Sequence, residues 1–280
     1  MNMTKSNPLR DMFLALFRAA LRAVARLLFR VQVQGMDEAL AVRDGNHARL
    51  MIIANHESFL DGILLGLFLP IPKPVFVVHT KYAKHPLFRF GLNALADYLP
   101  VDPANPMAVK QVIRLLESGH PVVIFPEGRI TLTGALMKVY EGPAFVAEKT
   151  GATLLPVRLD GLSRSYFSRM TRWSRQLFPR ITLTILPPKT LSVPADANAK
   201  ERRHKSGEAL RRLMQEMALA QPSYRTLYGT LCNVIRLHGR RCHVVEDIKQ
   251  VEYTYQDLLK MSLVLGRLAA RISKPGEKVG

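Results

Sequence analysis

The sequence predicts an α/β fold, a mixed sheet flanked by helices and preceded by an amphipathic N-terminal helix. Three observations carry this. Six short apolar runs recur between residues 50 and 186, several too apolar to leave a solvent face. Segments of helical periodicity separate them, the alternation that builds a helix-covered sheet. Ahead of the first run, residues 8–31 combine arginines at steps of four with bulky apolar residues.

The N-terminal segment reads PLRDMFLALFRAALRAVARLLFRV. Arg18, Arg22, Arg26 and Arg30 form one slowly drifting stripe, since four residues on an α-helix advance about 400°. Phe13, Leu14, Phe17, Leu21, Val24, Leu28 and Phe29 take most of the remaining circumference. The longest uncharged run, residues 12–17, falls far short of the ~20 residues a bilayer crossing needs. No small-residue cleavage site follows, so a signal peptide is not expected. A helix lying in the membrane interface, with the four arginines toward anionic headgroups, accounts for the pattern. The alternative is a basic face packed on the domain behind it.

The strands expected are LMIIA (50–54), PVFVVH (74–79), YLPV (98–101), PVVIF (121–125), TLLPVRL (153–159) and ITLTIL (181–186). Helical patterns lie near 58–69, 86–96, 106–118 and 143–150. At 280 residues the chain can hold one large domain, or one of about 220 residues and a piece of another. The boundaries expected are a helix over 1–30, a domain over 31–220 and a separate segment over 221–280.

Composition narrows the function. Forty Lys and Arg against 22 Asp and Glu leave a net charge of +18, which asks for an anionic partner. Nucleic acid is not expected, because no RNP, zinc-finger or helix-turn-helix pattern accompanies the charge. Cys232 and Cys242 lie ten apart with no CxxC, and the eight histidines show no ligand spacing, so no metal is implied.

Two polar motifs interrupt the apolar elements. In ANHESFLDG, residues 54–62, Asn55, His56, Glu57, Ser58 and Asp61 fall where a strand gives way to a helix. Ser58 and Asp61 have the S-x-x-D spacing of a capping box, which accounts for both without chemistry. A cap does not need His56. Five residues apart, His56 and Asp61 cannot share a face of one helix; they meet if His56 is on the turn and Asp61 in the first helical turn. The pair then makes a general base with its orienting acid. The second motif, VVIFPEGRITLTG, residues 122–134, runs a strand into Pro126-Glu127-Gly128, then a cation and two hydroxyls, Thr131 and Thr133. Arg129 suits a phosphate, and Gly128 permits close backbone approach. Alone, this is also a strand-end turn with an exposed ion pair.

Asn55-His56-x4-Asp61, then Phe125-Pro126-Glu127-Gly128, then Leu155-Pro156-Val157 together resemble the glycerolipid acyltransferase family, that of the lysophosphatidate acyltransferases. The resemblance spans about residues 30–215. It implies a membrane-associated domain that moves a fatty acyl group from a thioester to a glycerol hydroxyl, with His56 as base and Asp61 as its orienting acid. It also implies that Glu127 and Gly128 bind the acceptor. Arg129, Thr131, Asn55 and Lys81 complete the candidate substrate-binding set. No enzyme nucleophile is needed, since a thioester is already activated; Ser58 as an acyl-enzyme nucleophile is the rival. Backbone amides at the Gly128 turn are expected to hold the oxyanion. No cofactor is expected beyond the acyl-thioester co-substrate.

Two departures from the family pattern bear on the acceptor. Arg129 directly follows Pro-Glu-Gly, one place earlier than the family's Pro-Glu-Gly-Thr-Arg-Ser puts it. Asp102-Pro103 stands where the family has Asp-Arg, the arginine taken to hold a phosphate. A phosphodiester acceptor, 2-acylglycerophosphoethanolamine, is therefore expected, with lysophosphatidate the alternative. Residues 221–280 resemble the opening of adenylate-forming acyl synthetases, without that family's phosphate loop. An acyltransferase joined to such a segment resembles the bifunctional bacterial acyl-carrier-protein synthetase/2-acylglycerophosphoethanolamine acyltransferases. That implies acyl carrier protein as a partner and a place on the cytoplasmic face of a bacterial inner membrane, peripheral or monotopic.

Overall fold

The structure, a computed structural model, describes residues 8–45, 48–80, 97–102, 105, 107–170, 175–191, 198–220, 227–274 and 277. The chain divides into two compact units, one of Met1–Met170 with Arg175–Ala220 and one of Gln221–Gly280 with 171–174.

The first unit is built on one mixed sheet. In chain order its strands are β1 (Gln32–Gln34), β2 (Leu50–Ala54), β3 (Val75–His79), β4 (Asp97–Val101), β5 (Val122–Ile124), β6 (Thr153–Asp160), β7 (Thr182–Ile185) and β8 (Lys189–Thr190). They lie side by side as β1-β7-β6-β2-β5-β3-β4, with β8 also on β6. Among the described strands of this sheet, only the pairings of β6 with β7 and with β8 are antiparallel. Pro156 can occupy this interior strand because β8 pairs at 153–154 and β7 at 157–160, so no partner strand asks for its missing N–H on that side.

The period-2 alternation of the strands sorts their residues onto two cores. Leu50, Ile52, Ala54, Val123, Leu155, Val157 and Leu159 face one side. There they meet α2 (Met36–Asp44) and α3 (Asp61–Phe68), through Ala39, Val42, Leu64, Leu65 and Phe68. Met51, Ile53, Val122, Ile124 and Leu154 face the other. There α4 (Met107–Glu117), α5 (Glu141–Thr150) and α6 (Ala199–Leu219) cover them. Leu210, Leu213, Met214 and Met217 give α6 its buried stripe at helical spacing. The six expected strands and three of the four expected helices are present; the pattern at 86–96 lies outside the described residues. β1, α2, β8 and α6 are additional.

The N-terminal helix α1 is Pro8–Phe29. Its Ala25 is buried, and Leu21 and Phe29 pack on the α2–α3 side of the core. Arg22 Nε donates to the Leu67 carbonyl, and the Arg26 guanidinium lies 5.6 Å from the centre of the Phe68 ring. The basic stripe is thus engaged, at Arg22 and Arg26, with the last turn of α3, where unpaired carbonyls favour cations. Arg30 lies just beyond the helix, at φ 46°. Met12, Phe13, Leu16, Val24 and Leu27 make the outward face, and Leu27 is 80% exposed. The apolar residues, not the arginines of the middle turns, look away from the domain. None of the described helices is long and apolar enough to cross a membrane.

The second unit contains α7 (Leu227–His238), a hairpin of β9 (His243–Glu246) and β10 (Glu252–Thr254), and α8 (Tyr255–Ile272). Thr254 and Asp257 start α8 with a reciprocal capping box.

Candidate active site

β2 and β5 run parallel as neighbours, so the segments leaving their C-terminal ends lie together. β2 delivers Asn55 and His56, and β5 delivers Phe125, Pro126 and Glu127. At that same edge α3 begins with Asp61. The five-residue separation is bridged as expected: His56 is on the turn, Asp61 is the first helical residue, and Nδ1 lies 2.7 Å from Asp61 Oδ2.

Asp61 is completely buried. Its Oδ2 also accepts the backbone N–H groups of Glu57 (2.6 Å) and Ser58 (2.9 Å). Burial raises its carboxyl above the ordinary value, and the His56 hydrogen bond and the two amides pull it back. Two backbone N–H groups on this oxygen suit the carboxylate form, which accepts and cannot donate. This assigns the ring proton to Nδ1 and leaves the lone pair on Nε2. The capping box expected of Ser58 and Asp61 is only half made. Ser58 Oγ accepts from Leu60 N (3.1 Å), while Asp61 N–H goes to the Ser58 carbonyl (3.3 Å). The helix starts later than the box required, because the Asp61 carboxylate is held by the turn and the histidine. Ser58 is fully buried with its hydroxyl 3.4 Å from Ser165 Oγ, a position that does not suit a nucleophile.

His56 is held through one face of its ring and through its backbone. Phe125 stacks on it at 4.2 Å between ring centres and 21° between planes. The His56 carbonyl accepts from Thr131 N (2.8 Å), and its N–H donates to Glu127 Oε1 (3.3 Å). Glu127 Oε2 accepts from Met137 N (2.9 Å), so this buried carboxylate ties the base to the loop after β5. Burial raises the Glu127 carboxyl, against the two amides that lower it. Asn55 uses both ends of its amide on Leu159: Nδ2 to the carbonyl (2.8 Å) and Oδ1 from the N–H (2.7 Å). Thr131 Oγ1 accepts from Gly134 N (3.0 Å) and donates to the Ala135 carbonyl (3.2 Å). Asn55, Glu127 and Thr131, expected as substrate contacts, line a cavity beside His56 and also brace its frame through hydrogen bonds to backbone.

His56 stands between two cavities. One, of about 150 Å³, is walled by Phe59, Phe76, Val78, Val101, Ile124 and Ile130, with Gly128 and the exposed Arg129 at its edge. Gly128 takes φ 64°, and a Cβ there would meet the Tyr140 ring at 3.1 Å, so the turn needs glycine. Its N–H is committed to the Phe125 carbonyl (3.0 Å), which removes it as an oxyanion donor. The other cavity, of about 170 Å³, is lined by Glu57, Glu127, Thr131, Arg158 and Met214. Lys81 lies outside the described residues.

Glu57 has a structural weight that the sequence did not disclose. It is 7% exposed, and its Oε2 accepts from Ser163 N at 2.9 Å. Burial, with Asp160 and Asp61 adding repulsion, pushes its carboxyl up to about 8. Phe125 is the second such residue; its place immediately before Pro-Glu-Gly was the available signal.

The acyltransferase family model matches residues 30–160, which contain both motifs. The 1-acyl-sn-glycerol-3-phosphate acyltransferase of Cocos nucifera is 33% identical over 122 residues, 41% of this chain and 39% of that protein. The chloroplastic 1-acyl-sn-glycerol-3-phosphate acyltransferase LPAT1 of Arabidopsis thaliana is 25% identical over 141 residues, 49% of this chain and 37% of its own. The chain thus spans about two fifths of the length of these relatives. The crystal structure of the 1-acyl-sn-glycerophosphate (LPA) acyltransferase PlsC from Thermotoga maritima superposes with a TM-score of 0.51 at 20% identity, over 76% of this chain and 84% of that one. That likeness is one of fold.

Proposed function

We propose that the chain is an O-acyltransferase that moves a fatty acyl group from a thioester to the free hydroxyl of a lysophospholipid. The observation that carries this is the His56–Asp61 pair at 2.7 Å, its ring on the wall of an apolar cavity edged by Arg129. Nε2 takes the proton of the acceptor hydroxyl as its oxygen attacks the thioester carbonyl. Asp61 stabilises the imidazolium so formed. Collapse of the tetrahedral intermediate expels the sulfur, which leaves with the proton from Nε2. The apolar walls suit an acyl chain, and Arg129 suits the acceptor's phosphate.

The acceptor proposed is lysophosphatidate, because the two relatives above carry 1-acyl-sn-glycerol-3-phosphate in their names. This reverses the preference drawn from Asp102-Pro103; Pro103 lies outside the described residues. Lysophosphoethanolamine stays as the second reading, because Arg129 is the single Lys or Arg among the described residues lining the cavity of Phe59 and Phe76. Acyl carrier protein as donor, and residues 221–280 as the opening of a synthetase domain, rest on the sequence resemblance.

The test is mass spectrometry of products from lysophosphatidate and lysophosphoethanolamine, each offered with acyl carrier protein and coenzyme A thioesters. Phosphatidate formation with the higher kcat/KM is expected, with a raised KM in Arg129→Ala. A higher kcat/KM for lysophosphoethanolamine would establish the second reading. Absence of acyl transfer to either acceptor from either donor would overturn the function.

A further inference from the structure

The segment joining β6 to β7, residues 161–181, reads GLSRSYFSRMTRWSRQLFPRI. It interleaves arginines with aromatic residues and contains no Asp or Glu. The proton transfer at His56 makes no use of either.

In residues 161–170 and 175–181 these side chains form one surface. Phe59 N donates to the Phe167 carbonyl (3.2 Å), which sets the segment against the turn after His56. Gln176 N donates to the Arg164 carbonyl (2.8 Å), and the Arg175 guanidinium lies 5.9 Å from the centre of the Tyr166 ring. Further on, the Phe178 ring meets Phe29 edge-on at 5.6 Å. Phe59, Phe167, Tyr166, Leu177 and Phe178 therefore lead from the catalytic turn to the end of α1. All five are 41–68% exposed. Arg169, Arg175 and Arg180, in the same segment, are exposed as well. Phe59 looks two ways, because it is also a wall of the apolar cavity beside His56.

Exposed apolar side chains in a contiguous set mark an interaction surface. Aromatic rings interleaved with arginines suit the headgroup layer of a membrane, where rings sit at the acyl boundary and guanidinium groups reach back to phosphates. The arginines, with no acid among them, are the complement to anionic lipid.

We propose that this face of the β6–β7 segment lies in the headgroup layer of an anionic membrane and sets the apolar cavity beside His56 at the lipid. The acceptor then passes along Phe59 to His56 without crossing water. That route rests on the reading of the chain as a lysophospholipid acyltransferase; the membrane contact itself is measured without turnover.

The experiment moves the single tryptophan of the sequence onto the surface. Fluorescence of the full chain carrying Trp173→Phe/Leu177→Trp is followed on vesicles of brominated phosphatidylcholine with phosphatidylglycerol. Strong quenching is expected. Little is expected from Trp173→Phe/Gln215→Trp, which puts the indole on the exposed side of α6. Unquenched emission from position 177 in the bound protein, or equal quenching from both positions, would overturn the proposal. Phe167→Ser/Leu177→Ser should bind neutral and anionic vesicles alike roughly 30- to 100-fold more weakly, for two apolar side chains no longer leaving water. Arg169→Gln/Arg180→Gln should lose roughly ten- to thirtyfold on anionic vesicles alone. A loss in the arginine double with none in the apolar double would mean adhesion through charge, as to a nucleic acid or an acidic protein, and would also overturn it. On lysophosphatidate held in vesicles, kcat/KM of the apolar double should fall with its binding. On short-chain lysophosphatidate dissolved as monomers it should match wild type, and an equal fall there would place the segment in the substrate site instead. A wild-type chain inactive on both substrates would overturn the function, while the quenching still decides the membrane contact.

Discussion

Replacing Glu57 by Gln should stabilise the first unit, by an amount that grows with pH. The wild-type carboxyl is 7% exposed and pushed up to about 8, against an ordinary value of 4.5. Between those two pH values the folded chain holds a proton that the unfolded chain has released. Stability contributed by this group is therefore complete below pH 4.5 and is lost as pH rises toward 8. The slope reaches about 1.4 kcal/mol per pH unit. Gln has nearly the same shape, retains an acceptor for Ser163 N–H and does not titrate. From about pH 5 to 7.5 its advantage should widen by about 3 kcal/mol. For a unit of this size that is a Tm difference widening by roughly 5–10 °C. Thermal unfolding followed by circular dichroism, on both proteins over that range, gives the difference directly. A Tm difference that stays constant with pH would refute the reasoning, since the buried group would then not be protonated in the folded state.

Asp61→Asn preserves shape but removes the charge that stabilises the imidazolium. Turnover should fall about 10²- to 10³-fold, as expected for losing a close charge interaction of about 3–4 kcal/mol, with little change in KM from steady-state kinetics. Asn55→Ala leaves the N–H and carbonyl of the buried Leu159 without their side-chain partners. Denaturant unfolding should show a loss of about 2–4 kcal/mol, and a loss below about 0.5 kcal/mol would mean that this clamp does not hold the β2–β6 edge.

The sheet was legible where burial on both faces makes a strand an apolar run, as in LMIIA and PVVIF. It was not legible at β1, whose three residues QVQ carry no pattern, and which exists because β7 offers it a parallel edge. Strand order depends on contacts distant in sequence, and no local signal encodes it. α6 did carry a signal, in the Asn198 N-cap and the spacing of Leu210, Leu213, Met214 and Met217. The His56–Asp61 pair was readable because the step of five forces a turn between its members. The hydrogen bonds of Asn55, Glu127 and Thr131 were not readable, because their partners are the backbones of Leu159, His56, Met137, Gly134 and Ala135. The arginine stripe of α1 gave the helix but not which way it faces, which α3 helps to decide by presenting the Leu67 carbonyl to Arg22.

The central claim is that the Nε2 lone pair of His56 removes the acceptor's proton. The direct measurement is the single-turnover rate of acyl transfer to lysophosphatidate in wild type and in His56→Ala, with unfolding midpoint and vesicle binding measured on the same samples. The account predicts a fall of about 10²- to 10⁴-fold in the rate, the usual loss for a missing general base. Unfolding and vesicle binding should change little, because His56 is only 21% exposed but is framed chiefly through its backbone. A His56→Ala variant that folds, binds vesicles and transfers acyl groups within a fewfold of the wild-type rate would contradict the mechanism.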